Sequence, residues 1–196
     1  MLEKIKELLG LTEKPNDEYR QKIEKIPWDH TFLLEAYHWS KRSHDPQTQH
    51  GCVLVRNKRI LSTGYNGFIR DIDDTILPNL RPHKYDFFMH AEQNAIFNAA
   101  RNGISTEGAT AYVTGKPCLA CFQFLWQAGI MRIVYSNFVE SHMYSVIMDN
   151  QIEALMELIN STGSSLVDDL FGTLNVPNLT MKFIDKKDVL PNENGV

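Results

Sequence analysis

The chain has 196 residues, 43% hydrophobic and 22% charged, with a formal net charge of −4 and a pI near 6.0. That size and apolar content fit one globular domain with a terminal extension. The acidic balance argues against a polynucleotide partner, and no apolar run of about 18 residues is present to span a membrane.

Residues 1–10 read as a short amphipathic helix ended by Gly10, without the apolar core or cleavage site of a signal peptide. Residues 11–26 are polar, carry a turn signal at Pro15-Asn16-Asp17, and are expected to form a peripheral arm or a subunit contact. The domain proper begins at Trp28. Asp29 is expected to cap a helix from His30 to about Arg42, whose stripe Phe32, Leu33, Ala36, Tyr37 and Trp39 packs into the core. A loop over 43–49 leads into a β-hairpin, with strands at 52–55 and 59–64 around Arg56-Asn57-Lys58. Cys52 falls inside the first strand as a small buried side chain. Tyr65-Asn66-Gly67-Phe68 is a turn, and Gly67 is required there if that turn takes a positive φ.

Residues 69–89 form a long connection, acidic at its start (Asp71, Asp73, Asp74) and basic at its end (Arg81, His83, Lys84), a length often associated with function. A helix follows from Ala91 to Asn102, stopped by Gly103. Next come a strand at 110–114, a helix at Leu119–Ala128 closed by Gly129, and a parallel strand at 132–135. Residues 141–160 read as helical, 161–178 as irregular and 179–184 as a last strand. The expected division is an N-terminal extension (1–27), one domain (28–185) and a loose tail (186–196). The expected fold class is α/β, a three-layer sandwich with a central mixed sheet of about five strands and helices on both faces.

Two short segments carry chemistry: His90-Ala91-Glu92, and Pro117-Cys118-Leu119-Ala120-Cys121. One imidazole and two thiolates fill three of the four tetrahedral positions that zinc favours, which leaves the fourth open to water, as a catalytic ion requires. A metal held this way brings the pKa of that water toward neutrality, and the carboxylate of Glu92 remains to move protons. Both segments sit at expected helix starts, where the helix dipole favours a thiolate. Residues two apart in a continuous helix point about 200° away from each other, so His90 and Glu92 share a cavity only if His90 lies at the very first turn. A lone Cys-x-x-Cys is also compatible with a redox pair, but that reading leaves His90 and Glu92 unexplained.

H-x-E followed by P-C-x-x-C is the signature of zinc-dependent deaminases, and three further stretches make the chain resemble the deoxycytidylate (dCMP) deaminases of the cytidine deaminase-like superfamily. They are Ser43-His44-Asp45-Pro46-Gln47-Thr48-Gln49-His50-Gly51, then Ser62-Thr63-Gly64-Tyr65-Asn66-Gly67, then Glu107 to Thr114 with Gln127-Ala128-Gly129-Ile130. The likeness spans about residues 28–135. It implies one zinc per subunit held by His90, Cys118 and Cys121, with Glu92 as the catalytic proton shuttle. It implies substrate contacts from Asn66, which would meet the deoxyribose, from Thr48 and Arg42 toward a phosphate, and from Ala91. Lys41 and Ser43 are further phosphate candidates on the same loop. Effector contacts are implied at Tyr65 and Gly67.

The implied reaction is hydrolysis of dCMP to dUMP and ammonia, supplying dUMP for thymidylate synthesis. It would take place in a homo-oligomer, often a hexamer, regulated by dCTP and dTTP, in the cytoplasm (that of a host if the protein is phage-encoded), without nucleic-acid or membrane partners. The three cysteines suit such a reducing compartment. Two alternatives stay open: a deaminase of another nucleoside, a base or a tRNA adenosine, and a catalytically silent nucleotide-binding module. The chain departs from the pattern at two places. Asn66-Gly67-Phe68-Ile69-Arg70-Asp71 lacks the usual Pro and later Gly, which leaves allosteric regulation open, and His50 stands where Val is usual.

Overall fold

The computed structural model describes residues 1–8, 24–139, 146–162 and 179–190. After the N-terminal helix α1 (Leu2–Leu8), helix α2 spans Trp28–Ser40 and leads to strands β1 (Gly51–Arg56) and β2 (Arg59–Tyr65). Asn57 and Lys58 both adopt positive φ, 52° and 62°. That is the backbone of a two-residue hairpin turn whose twist matches the flanking strands. Helix α3 (Ala91–Arg101), strand β3 (Thr110–Val113), helix α4 (Leu119–Gln127), strand β4 (Arg132–Tyr135), helix α5 (Val146–Thr162), strand β5 (Thr180–Phe183) and helix α6 (Lys186–Val189) complete the order.

The five strands form one mixed sheet ordered β2-β1-β3-β4-β5. β1 is antiparallel to both β2 and β3, whereas β3, β4 and β5 run parallel. β1 is buried along nearly its whole length, which explains why Cys52-Val53-Leu54-Val55 reads as an unbroken apolar run rather than an alternation. Alternate residues of β1 feed two cores. Cys52 and Leu54 pack with Ala91 and Ala95 of α3, Phe122 and Leu125 of α4, and Ile152 of α5. Val53 and Val55 pack on the other face with Phe32, Leu33 and Ala36 of α2 and with Val189 of α6. The expected three layers are therefore present. Among the described residues, no helix is long and apolar enough to cross a membrane.

α3 lies unusually close to the sheet. A Cβ at Gly64 of β2 would stand 2.2 Å from Ala91 O and 2.4 Å from Ala95 N, and one at Gly51 of β1 would stand 2.0 Å from Ala36 O. Only glycine at these two positions lets α3 and α2 lie flat against the hairpin. The side chains of Asn94 and Asn98 then donate to Tyr65 O and Thr63 O at 2.8 and 3.2 Å, and Ser62 Oγ donates to Ala95 O at 2.7 Å, fixing α3 along β2.

Several expectations change. α2 begins at Trp28 with Pro27 at its N-cap, so Asp29 is not the cap. Its carboxylate instead accepts from Arg132 of β4 at 2.8 Å on both oxygens, from Lys182 of β5 at 2.8 Å and from Tyr112 of β3 at 3.0 Å. Gly67 is not among the residues with positive φ, and a Cβ there would meet nothing within 4 Å. What fixes it is a backbone bridge with Met89, Gly67 N to Met89 O at 3.1 Å and the reverse at 2.8 Å. The segment expected to be a loose tail opens with α6, whose Val189 is buried against α2. Gly10, most of the expected arm, the start of the helix expected from residue 141, and nearly all of the irregular stretch 161–178 lie outside the described residues.

Asp29 supplies a test of this packing. The Arg132 hydrogen bonds, opposed by burial and aided by Lys182 and Tyr112, hold its carboxyl well below the usual carboxylate range. A carboxylate with a depressed folded pKa stabilises fully above its unfolded pKa of about 3.9, and that contribution fades as pH falls toward the folded value. Asp29→Asn is expected to cost about 2 kcal/mol at neutral pH. It should also weaken the loss of stability below about pH 4, as read from urea unfolding across pH.

Candidate active site

The register of the sheet brings two helix starts together. Gly51, the first residue of β1, pairs with Tyr65 at the end of β2, and its neighbour Cys52 pairs with Val113 at the end of β3. Thr114 N donates to Gly51 O at 3.1 Å, and Gly51 N donates to Thr114 Oγ1 at 3.0 Å. The chain leaving β2 and the chain leaving β3 therefore emerge at one sheet edge. The first continues through the Gly67–Met89 bridge into α3, the second into α4. Parallel strands end at this edge, where open α/β sheets build their sites.

His90 and Cys118 are the N-cap residues of α3 and α4, with extended backbones (φ −75°, ψ 157° and φ −70°, ψ 166°). This answers the orientation problem posed by His90 and Glu92. His90 lies outside the helical turn, so the rule of opposite faces for residues two apart does not apply to it. Gln93 Oε1 accepts from His90 N at 2.9 Å and holds the cap. His90 Nδ1 lies 3.6 Å from Cys118 Sγ and 3.3 Å from Cys121 Sγ, and Cys121 N donates to Cys118 Sγ at 3.5 Å.

The three ligand atoms lie within 4.8 Å of one another, the one such group among the described residues. Tetrahedral zinc with ordinary Zn–N and Zn–S lengths places nitrogen and sulfur roughly 3.6 Å apart, so the donor set fits zinc in both chemistry and spacing. Cys52 is fully buried in the core and stands outside the group.

The electrostatics favour a thiolate. The hydrogen bond from Cys121 leads, burial opposes, and His90 and the Cys121 N–H add, so that Cys118 is pulled down to about 4. Cys121, beside that negative sulfur, is pushed up. Glu92 is buried, and burial raises its pKa against the pull of His90. A carboxyl that keeps its proton to higher pH than an exposed glutamate suits proton transfer near neutrality.

These groups open into a cleft. Glu92, His90 and Cys118 line one part of it, and Asp45, Thr48, Asn66, Arg81 and Lys84 line another. The second group is a closed network. Lys84 and Asp45, each 2% exposed, form an ion pair at 2.6 Å. Thr48 Oγ1 and both oxygens of Asp45 accept all three ammonium hydrogens of Lys84. Burial opposes ionisation of Asp45, but Lys84 and the N–H groups of Gln47 and Thr48 outweigh it and lower its pKa. Asn66 Nδ2 donates to Asp45 Oδ2 at 3.1 Å and to Thr48 O at 2.9 Å, while Asn66 Oδ1 accepts from His50 N at 2.7 Å. His50 faces the same cleft, and burial first of all depresses it to about 4, so its ring is neutral at physiological pH.

The expected substrate residues thus divide. Asn66, Thr48 and Ala91 line the cleft, although Asn66 spends both donors on the loop that it clips. Arg42 is exposed and lies outside the cleft lining, because it follows the last turn of α2 and faces solvent. Lys41 rests over the Tyr37 ring at 4.3 Å, and Ser43 Oγ donates to Asn66 O. Tyr65 and Gly67 line a separate cleft with Arg70, Asn94 and Arg101. The residues missed at the cleft itself are Arg81, Lys84, Asp45 and Lys116. The basic end of the 69–89 connection was the visible trace of Arg81 and Lys84.

A metal triad at two helix starts, with a buried carboxyl beside it at the edge of a mixed sheet, defines a zinc-dependent deaminase. The family model for the cytidine and deoxycytidylate deaminase zinc-binding region matches residues 26–137, and the chain belongs to that family. It is 30% identical over 173 residues to ComE operon protein 2 of Bacillus subtilis (strain 168), covering 78% of this chain and 87% of that protein. It is 34% identical over 141 residues to the probable deoxycytidylate deaminase of Drosophila melanogaster, covering 66% and 68%. The dCMP deaminase from the cyanophage S-TIM5, in complex with dCMP and dUMP, shares the fold with a TM-score of 0.55 at 20% identity, covering 83% of this chain and 99% of that one.

Two outcomes test the site. Cys118→Ser is expected to bind less than about a tenth of the zinc held by the unaltered protein, measured by elemental analysis, since three ligands are the minimum for a catalytic ion. Lys84→Met leaves the Asp45 charge buried and is expected to cost about 3–5 kcal/mol in denaturant unfolding. The double variant Asp45→Leu/Lys84→Met should recover most of that loss.

Proposed function

We propose that this protein hydrolyses dCMP to dUMP and ammonia, supplying dUMP for thymidylate synthesis. The observation that carries the reading is the buried Glu92 on the same cleft as His90 and Cys118. Zinc, when bound by His90, Cys118 and Cys121, supplies a Lewis acid and lowers the pKa of a water at its open position. Glu92 takes one proton from the attacking water and gives it to N3 of the cytosine ring, where it stays in the product, as the water oxygen bonds to C4. It then carries the remaining hydroxyl proton to the 4-amino group, so that the C4–N bond breaks, C4=O forms and ammonia leaves. The burial of Glu92 keeps these protons from exchanging freely with solvent. Ala91 and His90 form the adjoining surface, and the Asp45–Lys84–Thr48–Asn66 network keeps the opposing loop in place.

Arg81 on the cleft wall, where Lys84 and Lys116 are already paired with Asp45 and Asp149, favours an anionic nucleotide over a free base or nucleoside. The net charge of −4 speaks against a tRNA substrate. The reading includes a reducing, cytoplasmic setting that keeps the two thiols free to bind metal, and a homo-oligomer. A nucleotide effector would occupy the second cleft at Tyr65 and Gly67. Met89 lines both clefts and offers a physical link between them.

Glu92→Gln is the direct test. It is expected to retain zinc and a normal melting temperature while ammonia release from dCMP falls by about 10²- to 10⁴-fold. Near-normal turnover in that variant would remove Glu92 from the mechanism.

A further inference from the structure

We propose that Arg81 is the residue that binds the 5′-phosphate of the substrate, and that it sets the preference for a nucleoside monophosphate over the corresponding nucleoside. This rests on the dCMP reading above and assigns a specific group to it.

The argument starts from which cations of the cleft still have charge and donors to offer. Lys84 has neither, since Asp45 neutralises it and its three N–H groups are all used. Lys116 is held in an ion pair by Asp149 of α5. His50 is half-buried, and the desolvation of its ring keeps it neutral. Among the described residues lining the cleft, Arg81 is the cation in no ion pair.

Arg81 is also fixed in place. Its backbone N donates to Gln47 Oε1 at 2.9 Å, and its Nη2 donates to Thr48 Oγ1 at 3.3 Å. Its Nε is buried, with no hydrogen-bond partner among the described residues. A buried guanidinium N–H without an acceptor is costly, and such a group needs an explanation. Nε–H and the neighbouring Nη–H form the parallel pair of donors that phosphate oxygens accept bidentately. The cleft wall therefore holds an anchored guanidinium with one arm on Thr48 and one without an acceptor, beside a network whose Lys84 and Asn66 donors are all used. A doubly charged monoester supplies both the acceptor and the countercharge that Arg81 lacks.

Thr48, expected from the sequence to meet the phosphate, is saturated by Asp45, Lys84 and Arg81. Its role becomes that of an anchor for the Arg81 fork.

The experiment compares the unaltered protein, Arg81→Gln and Arg81→Lys, all zinc-loaded. It measures kcat and KM for dCMP and for deoxycytidine, and the Kd for dUMP by calorimetry. Arg81→Gln is expected to lower the dCMP-to-deoxycytidine ratio of kcat/KM by about 10- to 100-fold, mainly through KM, and to weaken dUMP binding by a similar factor. Arg81→Lys keeps the charge without the fork and should recover only part of each. An unchanged ratio, with both substrates falling together or neither falling, would overturn the assignment while leaving the dCMP reading intact. If the unaltered protein deaminates dCMP no better than deoxycytidine and binds no dUMP, the dCMP reading itself fails and the assignment falls with it. Should Arg81→Gln lose zinc or fail to fold, the Arg81→Lys ratio and its dUMP Kd decide the matter on the same criteria.

Discussion

The site depends on two helices that start at the same edge of the sheet, each with a metal-binding residue as its cap. Unpaired N–H groups at a helix start favour negative charge. Cys118 sits there with the Cys121 N–H turned toward its sulfur, an arrangement that favours the thiolate. The same geometry puts His90 in extended backbone, so that the next turn can present Glu92 to the imidazole's own cavity. A helix beginning one residue earlier would turn the carboxyl away from the metal. The placement of α3 is in turn enforced by Gly64, since any side chain there would push Ala91 and Ala95 off β2.

The opposite wall is built differently. It pairs the loop 43–50 with the segment 81–88, which includes a 3-10 turn at His83–Asp86, through a buried ion pair and its hydrogen bonds. Burying two charges in a cleft wall is weak evidence for stability, because desolvation offsets much of their attraction. Such a pair does fix geometry, since every donor on Lys84 and Asn66 has one acceptor at a set distance. Order in these loops thus comes from directional bonds, whereas order around the metal comes from sheet and helix packing.

The candidate metal group was legible because only a few side chains, imidazole and thiolate chief among them, suit zinc, and because their spacing is local. Cys118 and Cys121 are three apart, and His90 and Glu92 two. The helices and strands were legible to within a few residues wherever apolar periodicity was strong. What stayed hidden depends on partners far along the chain. Asp29 looked like a cap because its neighbours are helical, yet its partners Arg132 and Lys182 lie 103 and 153 residues away. Lys84 was visible only as part of the basic end of a long connection until Asp45, 39 residues earlier, was placed beside it. Arg42 is the converse case. It is close in sequence to the substrate loop but turned to solvent, while Arg81 arrives from a distant segment. α6 is too short for periodicity to reveal, and its Val189 is defined by contact with α2.

The flat seating of α3 on β2 has an engineering corollary. That helix is locked by the absence of a side chain at Gly64, whereas the loop wall is assembled from side-chain hydrogen bonds. Loop side chains can therefore be exchanged without displacing α3, but a substitution at Gly64 moves the helix whichever residue is chosen.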